Sequence, residues 1–191
     1  MTVSTAPIAV LVGLRGSGKS TVGATLAAEL GVPFHDLDDL ALESCREPDI
    51  ASVFRERGEA AWWEAETRAL ETGLAFPGSI LALGGGAPIV PAIRTRLNEA
   101  RADGAAIVFW LDAPDAVLAD RIRTHDGSRP PLVTDDDRRP LDPLEECRRL
   151  RDARSEAYRS VSDHAIDSDA PTTTIVHEIL AREALVSGEQ T

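Results

Sequence analysis

Short apolar runs alternate along the chain with longer segments in which apolar residues recur every three or four positions. The short runs are rich in β-branched residues and predict buried strands, whereas the longer segments predict amphipathic helices. The predicted strands cover residues 8–12, 32–35, 79–83, 105–111 and 164–167. The predicted helices cover residues 21–30, 40–44, 50–57, 59–74, 89–100, 113–124, 144–160 and 173–185.

This alternation predicts an α/β fold in which helices cover both faces of a five-stranded parallel sheet, giving three αβα layers. We expect one domain over residues 1–191. Residues 126–143 are charged and proline-rich without apolar periodicity, so we expect a mobile lid at about 124–142. The tail, 186–191, is expected to be disordered. Ligands of such sheets bind outside the carboxyl ends of the strands.

A glycine-rich segment separates the first predicted strand from the first predicted helix. Residues 13–21 read Gly-Leu-Arg-Gly-Ser-Gly-Lys-Ser-Thr and fit the P-loop pattern G-x-x-x-x-G-K-[ST] at every fixed position. In that pattern backbone N–H groups cradle nucleotide phosphates, the lysine reaches the β- and γ-phosphates, and the serine hydroxyl binds Mg²⁺. The predicted ATP-binding residues here are Gly13, Gly16, Ser17, Gly18, Lys19, Ser20 and Thr21, with Ser20 as a metal ligand.

Composition narrows the possible functions. The formal net charge of −12 argues against a general nucleic-acid binder, which needs a basic face. Lys19 is the only lysine in the chain. The two cysteines, Cys45 and Cys147, have neither disulfide-framework nor zinc-site spacing. We therefore expect a cytoplasmic protein, a monomer, that acts on a small molecule and has no nucleic-acid or membrane partner.

Other polar residues also follow predicted strands. Asp36 and Asp38 come after the second strand, and a run of three glycines with Gly85 at its centre comes after the third. Arg129 lies in the expected lid. Phosphoryl transfer needs positioning of an acceptor hydroxyl, a metal ion and positive charge around the transferred group. These residue types at one edge of the sheet therefore indicate a kinase.

Over about residues 8–180 the chain resembles the shikimate kinases. The resemblance rests on an ordered set: the P-loop, Asp36-Leu37-Asp38, Gly58-Glu59 opening a helix that also carries Glu66, Gly84-Gly85-Gly86, Arg129-Pro130, and Arg154 four residues before Tyr158. It implies a P-loop kinase fold and transfer of the γ-phosphate of ATP, with Mg²⁺, to the 3-hydroxyl of shikimate, a step of chorismate and aromatic amino-acid biosynthesis.

The resemblance also implies roles for individual residues. Asp36 would help to hold Mg²⁺, and Asp38 would bind the acceptor and take the proton of its attacking hydroxyl. Gly85 would let the backbone approach the substrate. Arg129 would place positive charge at the γ-phosphate, so that Lys19, Asp38 and Arg129 would be the catalytic residues. Arg154 would hold the substrate carboxylate.

The chain departs from the family's pattern at one position. The helix that follows Gly58-Glu59 is expected to carry an aromatic residue and then an arginine for the carboxylate, but the pair here is Trp62-Trp63. An indole offers one N–H and a flat surface, without charge. Trp63 is thus a candidate substrate-binding residue of a different kind, and Trp62 is expected to pack in the core. Arg55 and Arg57 are possible substitutes for the missing arginine.

Three functions are therefore compatible with the sequence: a shikimate kinase, a kinase of the same fold that acts on a related cyclitol or small polyol, and a non-catalytic ATP-binding module. The acceptor-side residues count against the third, since a module that only binds ATP needs no base. Either Arg121 or Arg123 could stack on the adenine, and their spacing does not choose between them.

Overall fold

The computed structural model of the chain describes residues 9–76, 78–124 and 141–187, with the side chains of the last helix described as far as Arg182. Within these residues each predicted strand is present. The strands are β1 (Ala9–Val12), β2 (Phe34–Asp36), β3 (Ile80–Ala82), β4 (Val108–Asp112) and β5 (His164–Asp167). The predicted lid lies almost entirely outside the described residues, and so does Arg129.

The predicted helices are present as well. They are α1 (Lys19–Leu30), α2 (Leu37–Cys45), α3 (Ile50–Arg57), α4 (Glu59–Leu74), α5 (Pro91–Ala102), α6 (Asp115–Thr124), α7 (Pro143–Val161) and α8 (Thr172–Ser187). The helix predicted over 89–100 is divided: a 3₁₀ turn covers Ala87–Ile89, and α5 begins at Pro91. Proline suits the first turn of a helix because its missing N–H would have no intrahelical partner there. Helix α8 extends two residues into the predicted tail.

All the strand pairs are parallel, and the order across the sheet is β2-β3-β1-β4-β5. Side chains alternate between the two faces of a strand. Val10 and Val12 of β1 accordingly pack into one hydrophobic cluster with residues of α2, α4, α5, α6 and α7. Leu11 packs into a second cluster with residues of α1 and α8. Two cores on opposite faces of one sheet confirm the predicted three-layer α/β fold.

The strand order also gathers the loops that carry polar residues. Because β3 lies between β2 and β1, the glycines that follow β3 are placed between Asp36 at the end of β2 and the P-loop after β1. None of the helices in the described part of the chain combines the length and apolarity that crossing a bilayer requires.

Candidate active site

The P-loop folds around its own lysine. Lys19 Nζ donates hydrogen bonds to the carbonyl oxygens of Gly13, at 2.8 Å, and Leu14, at 3.0 Å. Gly18 adopts a left-handed conformation, with φ of 90°, and forms the N-terminal cap of α1. The first N–H groups of a helix have no intrahelical partner, so this turn presents donors to an anion next to the ammonium group. The loop therefore has the form of a nucleotide phosphate site.

Two residues predicted to hold a metal ion lie in contact. Ser20 Oγ donates a hydrogen bond of 2.9 Å to Asp36 Oδ2. The other carboxylate oxygen, Asp36 Oδ1, accepts from the backbone N–H of Asp38 at 3.1 Å and so caps α2. The described residues contain no cluster of three or more His, Cys, Asp or Glu side chains suited to a metal ion. One carboxylate and one hydroxyl nevertheless fit Mg²⁺, which kinases hold with one or two carboxylates and the substrate's phosphates.

Two buried acidic side chains converge on Gly84. Asp38 is 8% exposed and Glu66 is 2% exposed. A Cβ atom at position 84 would stand 2.5 Å from Asp38 Oδ1 and 2.8 Å from Glu66 Oε1, closer than real Cβ atoms approach. Glycine at this position therefore allows both carboxyl groups to occupy the same small space. The sequence did not indicate this contact at Gly84, and the predicted approach of Gly85 to the substrate stays a prediction.

The proton affinity of Glu66 is strongly changed. Burial, and after it the nearby negative charge of Asp38, raise the pKa of its carboxyl group from 4.5 to about 8. A hydrogen bond from Trp62 and the positive charge of Arg154 act in the opposite direction but are smaller. At neutral pH this side chain therefore mostly retains its proton and can donate a hydrogen bond, beside an aspartate predicted to accept one.

Gly85 connects helix α7 to the P-loop. Its carbonyl oxygen accepts hydrogen bonds from Arg154 Nη1, at 2.9 Å, and from the hydroxyl of Tyr158, at 2.6 Å. Burial raises the pKa of Tyr158 to about 12, so the phenol remains a donor. On the other side, a Cβ at Gly85 would lie 3.5 Å from both the backbone nitrogen of Arg15 and the carbonyl oxygen of Gly13. The predicted carboxylate ligand, Arg154, thus lies against the loop predicted to contact substrate.

The neighbouring arginines of α7 have other partners. Arg151 forms ion pairs of 2.6 Å with Asp112, the last residue of β4, and with Asp115 at the start of α6. Arg149 pairs within its own helix. These contacts distinguish Arg154 from Arg149 and Arg151.

Arg121 and Arg123, the two candidates for adenine stacking, differ in their surroundings. Arg121 donates to the carbonyl oxygens of Gly16 in the P-loop, at 3.3 Å, and of Ser168 after β5, at 2.8 Å. Arg123 pairs with Asp142, the cap of α7, at 3.0 Å. Arg121 is therefore the one that contacts the phosphate loop, although neither arrangement identifies the stacking residue.

The two tryptophans of α4 differ in how far they are exposed to solvent. Trp62 is 5% exposed and packs against Phe54 of α3 with 6.3 Å between the ring centroids, which confirms its predicted place in the core. Trp63 is 39% exposed. Ala60 and Glu64 of the same helix are exposed as well, whereas Glu66 is buried. The predicted contact of Trp63 with the substrate therefore stays a prediction.

Comparison with known proteins identifies the same group of enzymes. Residues 15–183 match the family model described as shikimate kinase. The shikimate kinase of Caulobacter vibrioides is 37% identical over 171 residues, which cover 90% of this chain and 79% of the relative. The shikimate kinase of Salinibacter ruber is 37% identical over 173 residues, covering 89% of this chain and 81% of the relative.

Solved structures agree with this result. A shikimate kinase from Acinetobacter baumannii in complex with shikimate superposes with a TM-score of 0.78 at 27% identity, covering 99% of this chain and 97% of the other. The Aquifex aeolicus shikimate kinase gives a TM-score of 0.69 at 26% identity, covering 92% and 94% of the two chains. From its sequence, its fold and the arrangement of its site, the chain belongs to the shikimate kinase family.

Proposed function

We propose that the protein transfers the γ-phosphoryl group of ATP to the 3-hydroxyl of shikimate. The observation that carries this proposal is the position of Gly84 and Gly85. Gly84 lies against the carboxyl groups of Asp38 and Glu66, and the next residue lies against the P-loop. A phosphate donor held by the loop and a hydroxyl held by Asp38 would therefore be neighbours, as in-line phosphoryl transfer requires.

On the donor side, the chain supplies mainly backbone and one ammonium group. The N-terminal turn of α1 would bind the phosphates, and Lys19 would exchange its two carbonyl partners for β- and γ-phosphate oxygens. Ser20 and Asp36 are the residues that would hold Mg²⁺, which neutralises charge on the phosphates when it is bound. Arg129, outside the described residues, remains our candidate for a further positive charge at the γ-phosphate.

On the acceptor side, Asp38 would orient the attacking hydroxyl and take its proton as the bond to phosphorus forms. Burial favours this role because fixed groups in a site shielded from water act more strongly on a substrate than they do in water. Arg154 would contribute the positive charge for the carboxylate of shikimate, next to the Gly85 carbonyl that it already contacts. Trp63 would border the ring.

A coupled assay of ADP release tests the proposal. We expect turnover with shikimate, with the product identified as the 3-phosphate by NMR. Quinate and uncharged cyclitols serve as alternative acceptors in the same assay. Turnover of a cyclitol in preference to shikimate, or ATP binding without turnover of any acceptor, would contradict the proposed function.

A further inference from the structure

The buried side of helix α4 carries one charged side chain. The buried residues of this helix are Trp62, Ala65, Glu66, Ala69, Leu70, Gly73 and Leu74. Glu66 is 2% exposed, and burying a carboxyl group costs free energy unless the group is hydrogen-bonded. The carboxyl group of Glu66 therefore needs a partner inside the protein.

The geometry around Gly84 identifies Asp38 as that partner. A Cβ at Gly84 would lie 2.5 Å from Asp38 Oδ1 and 2.8 Å from Glu66 Oε1, so both oxygen atoms reach the same small space. Two carboxylates that share a site repel each other, and only a protonated carboxyl group can donate a hydrogen bond to its neighbour. The arrangement is therefore stable when one of the two groups carries a proton.

The positions of the two residues in their helices decide which one carries it. Asp38 lies in the first turn of α2, where the helix dipole stabilises a negative charge. Glu66 lies in the middle of α4 without that help, and burial raises its pKa to about 8. Among the described residues, Arg154 of α7 also acts on Glu66, but its effect is smaller than that of Asp38. At neutral pH the proton therefore lies on Glu66 and the charge on Asp38.

We infer that Glu66 is a positioning residue of the reaction: its retained proton holds the carboxylate of Asp38 at Gly84, in the orientation that accepts the proton of the attacking hydroxyl. This inference rests on the proposed function. Glu66 itself transfers no proton, since the hydroxyl proton passes to Asp38. When Glu66 ionises, the hydrogen bond is lost and two negative charges share the space at Gly84, so Asp38 leaves its orientation.

The pH profile of kcat/KM for shikimate tests this role, because it reports ionisations of the free enzyme. In the wild type, kcat/KM should fall about tenfold between about pH 7 and pH 9.5, as Glu66 loses its proton. Glu66→Gln keeps a donor that cannot ionise, so it should stay within about threefold of the wild type at neutral pH and remove this fall. Glu64→Gln, exposed on the same helix, is the matched control and should keep the wild-type profile.

Glu66→Met tests the hydrogen bond itself, since methionine has a similar length and no donor. This variant should lower kcat/KM for shikimate about ten- to a hundredfold at neutral pH, with KM for ATP unchanged, because a hydrogen bond to a charged group is lost. Added to Asp38→Asn, it should cause no further loss, because a residue that acts through Asp38 has no carboxylate left to position.

Three results would overturn the inference. An alkaline fall that persists in Glu66→Gln would mean that another group titrates. A loss in Glu66→Gln as large as that in Asp38→Asn would make Glu66 the base. Equal losses when Glu66→Met is added to the wild type and to Asp38→Asn would reduce its role to packing. Should Glu66→Met fail to fold, the profiles of the wild type and of Glu66→Gln still decide.

The proposed function and the inference fail differently. Turnover of shikimate together with any of these three results leaves the function intact and removes the inference. Absence of shikimate turnover at every pH removes both.

Discussion

The donor and acceptor sides of this site are built from different materials. The donor side is one continuous loop with α1 behind it, and hydrogen bonds join Lys19 to the loop's own carbonyls. The acceptor side is assembled from α2, α4, α7 and the glycines after β3, and it depends on buried side chains. A loop of backbone groups can bind phosphate whatever the acceptor is, whereas side chains from several elements can change with the substrate.

The sharpest way to separate the two sides is to remove the acceptor-side base. Asp38→Asn should lower kcat by about a hundred- to ten-thousandfold, because the amide cannot take the hydroxyl proton. ATP affinity, measured by fluorescence titration, should stay at the wild-type value, since Asp38 lies at Gly84 and not in the P-loop. Asp39→Asn, exposed in the same turn of α2, is the matched control. An equal loss of ATP affinity and of turnover in Asp38→Asn would mean that the two sides are not separable.

A second change tests the space that the acceptor side needs. Gly84→Ala should lower kcat/KM for the acceptor by about a hundredfold, because the new Cβ would displace the carboxyl groups of Asp38 and Glu66. Gly86→Ala is the control, since a Cβ there meets nothing within 4 Å. Steady-state kinetics measure both variants. If Gly84→Ala retains wild-type kinetics, the carboxyl groups do not need their observed positions.

The acceptor side should also be the pH-sensitive side. The pKa of Glu66 is about 8 in the folded protein against an ordinary value of 4.5, so the folded chain holds this proton more tightly than the unfolded chain does. The contribution of this group to stability is therefore greatest below pH 4.5 and decreases by roughly 1.4 kcal/mol per pH unit as the pH rises toward 8.

Glu66→Gln, which resembles the protonated side chain, should remove that dependence. We expect the variant and the wild type to have similar Tm values near pH 5, and the variant to be the more stable of the two at pH 8. Calorimetry across this range provides the measurement. A Tm difference that is the same at every pH would show that Glu66 is ionised alike in the folded and unfolded states.

The smallest expected effect concerns the donor side. Arg121→Met should lower the free energy of unfolding by about 1 to 3 kcal/mol, because its guanidinium group joins the P-loop to Ser168. Arg123→Met should change it less than Arg121→Met does, since its ion pairs with Asp120 and Asp142 are largely exposed. Urea denaturation compares the two variants. A larger effect at Arg123 would reverse this assignment.

The sequence predicted the place of the P-loop between β1 and α1, because a P-loop is a local motif in which residues 13–21 determine their own geometry. It predicted Ser20 and Asp36 as metal ligands at one edge of the sheet, and the structure brings the two side chains together. It did not predict the requirement at Gly84, which depends on how α4 packs against α2. Nor could it indicate that Tyr158 donates to Gly85, because the two residues are 73 positions apart.

The start of helix α2 and the partners of the arginines in α7 could not be read from the sequence. Helix α2 begins at Leu37 and not at residue 40, because the side chain of Asp36 caps it. Among the arginines of α7, the position of Tyr158 favoured Arg154 as the ligand of the substrate carboxylate, which stays a prediction. That Arg154 faces Gly85 while Arg151 is held in ion pairs could be learned only from the structure. Helical periodicity indicates on which side of a helix a residue lies, but it does not indicate which residue its side chain contacts.

The presence of one lysine in the whole chain has a practical consequence for studying the enzyme. An amine-reactive reagent can modify only the α-amino group and the ε-amino group of Lys19, and the latter already contacts two loop carbonyls. Bound nucleotide would shield that single ε-amine. The yield of acylated Lys19, read by mass spectrometry of the peptide that contains it, would therefore report how much of the enzyme carries ATP, without any engineered label.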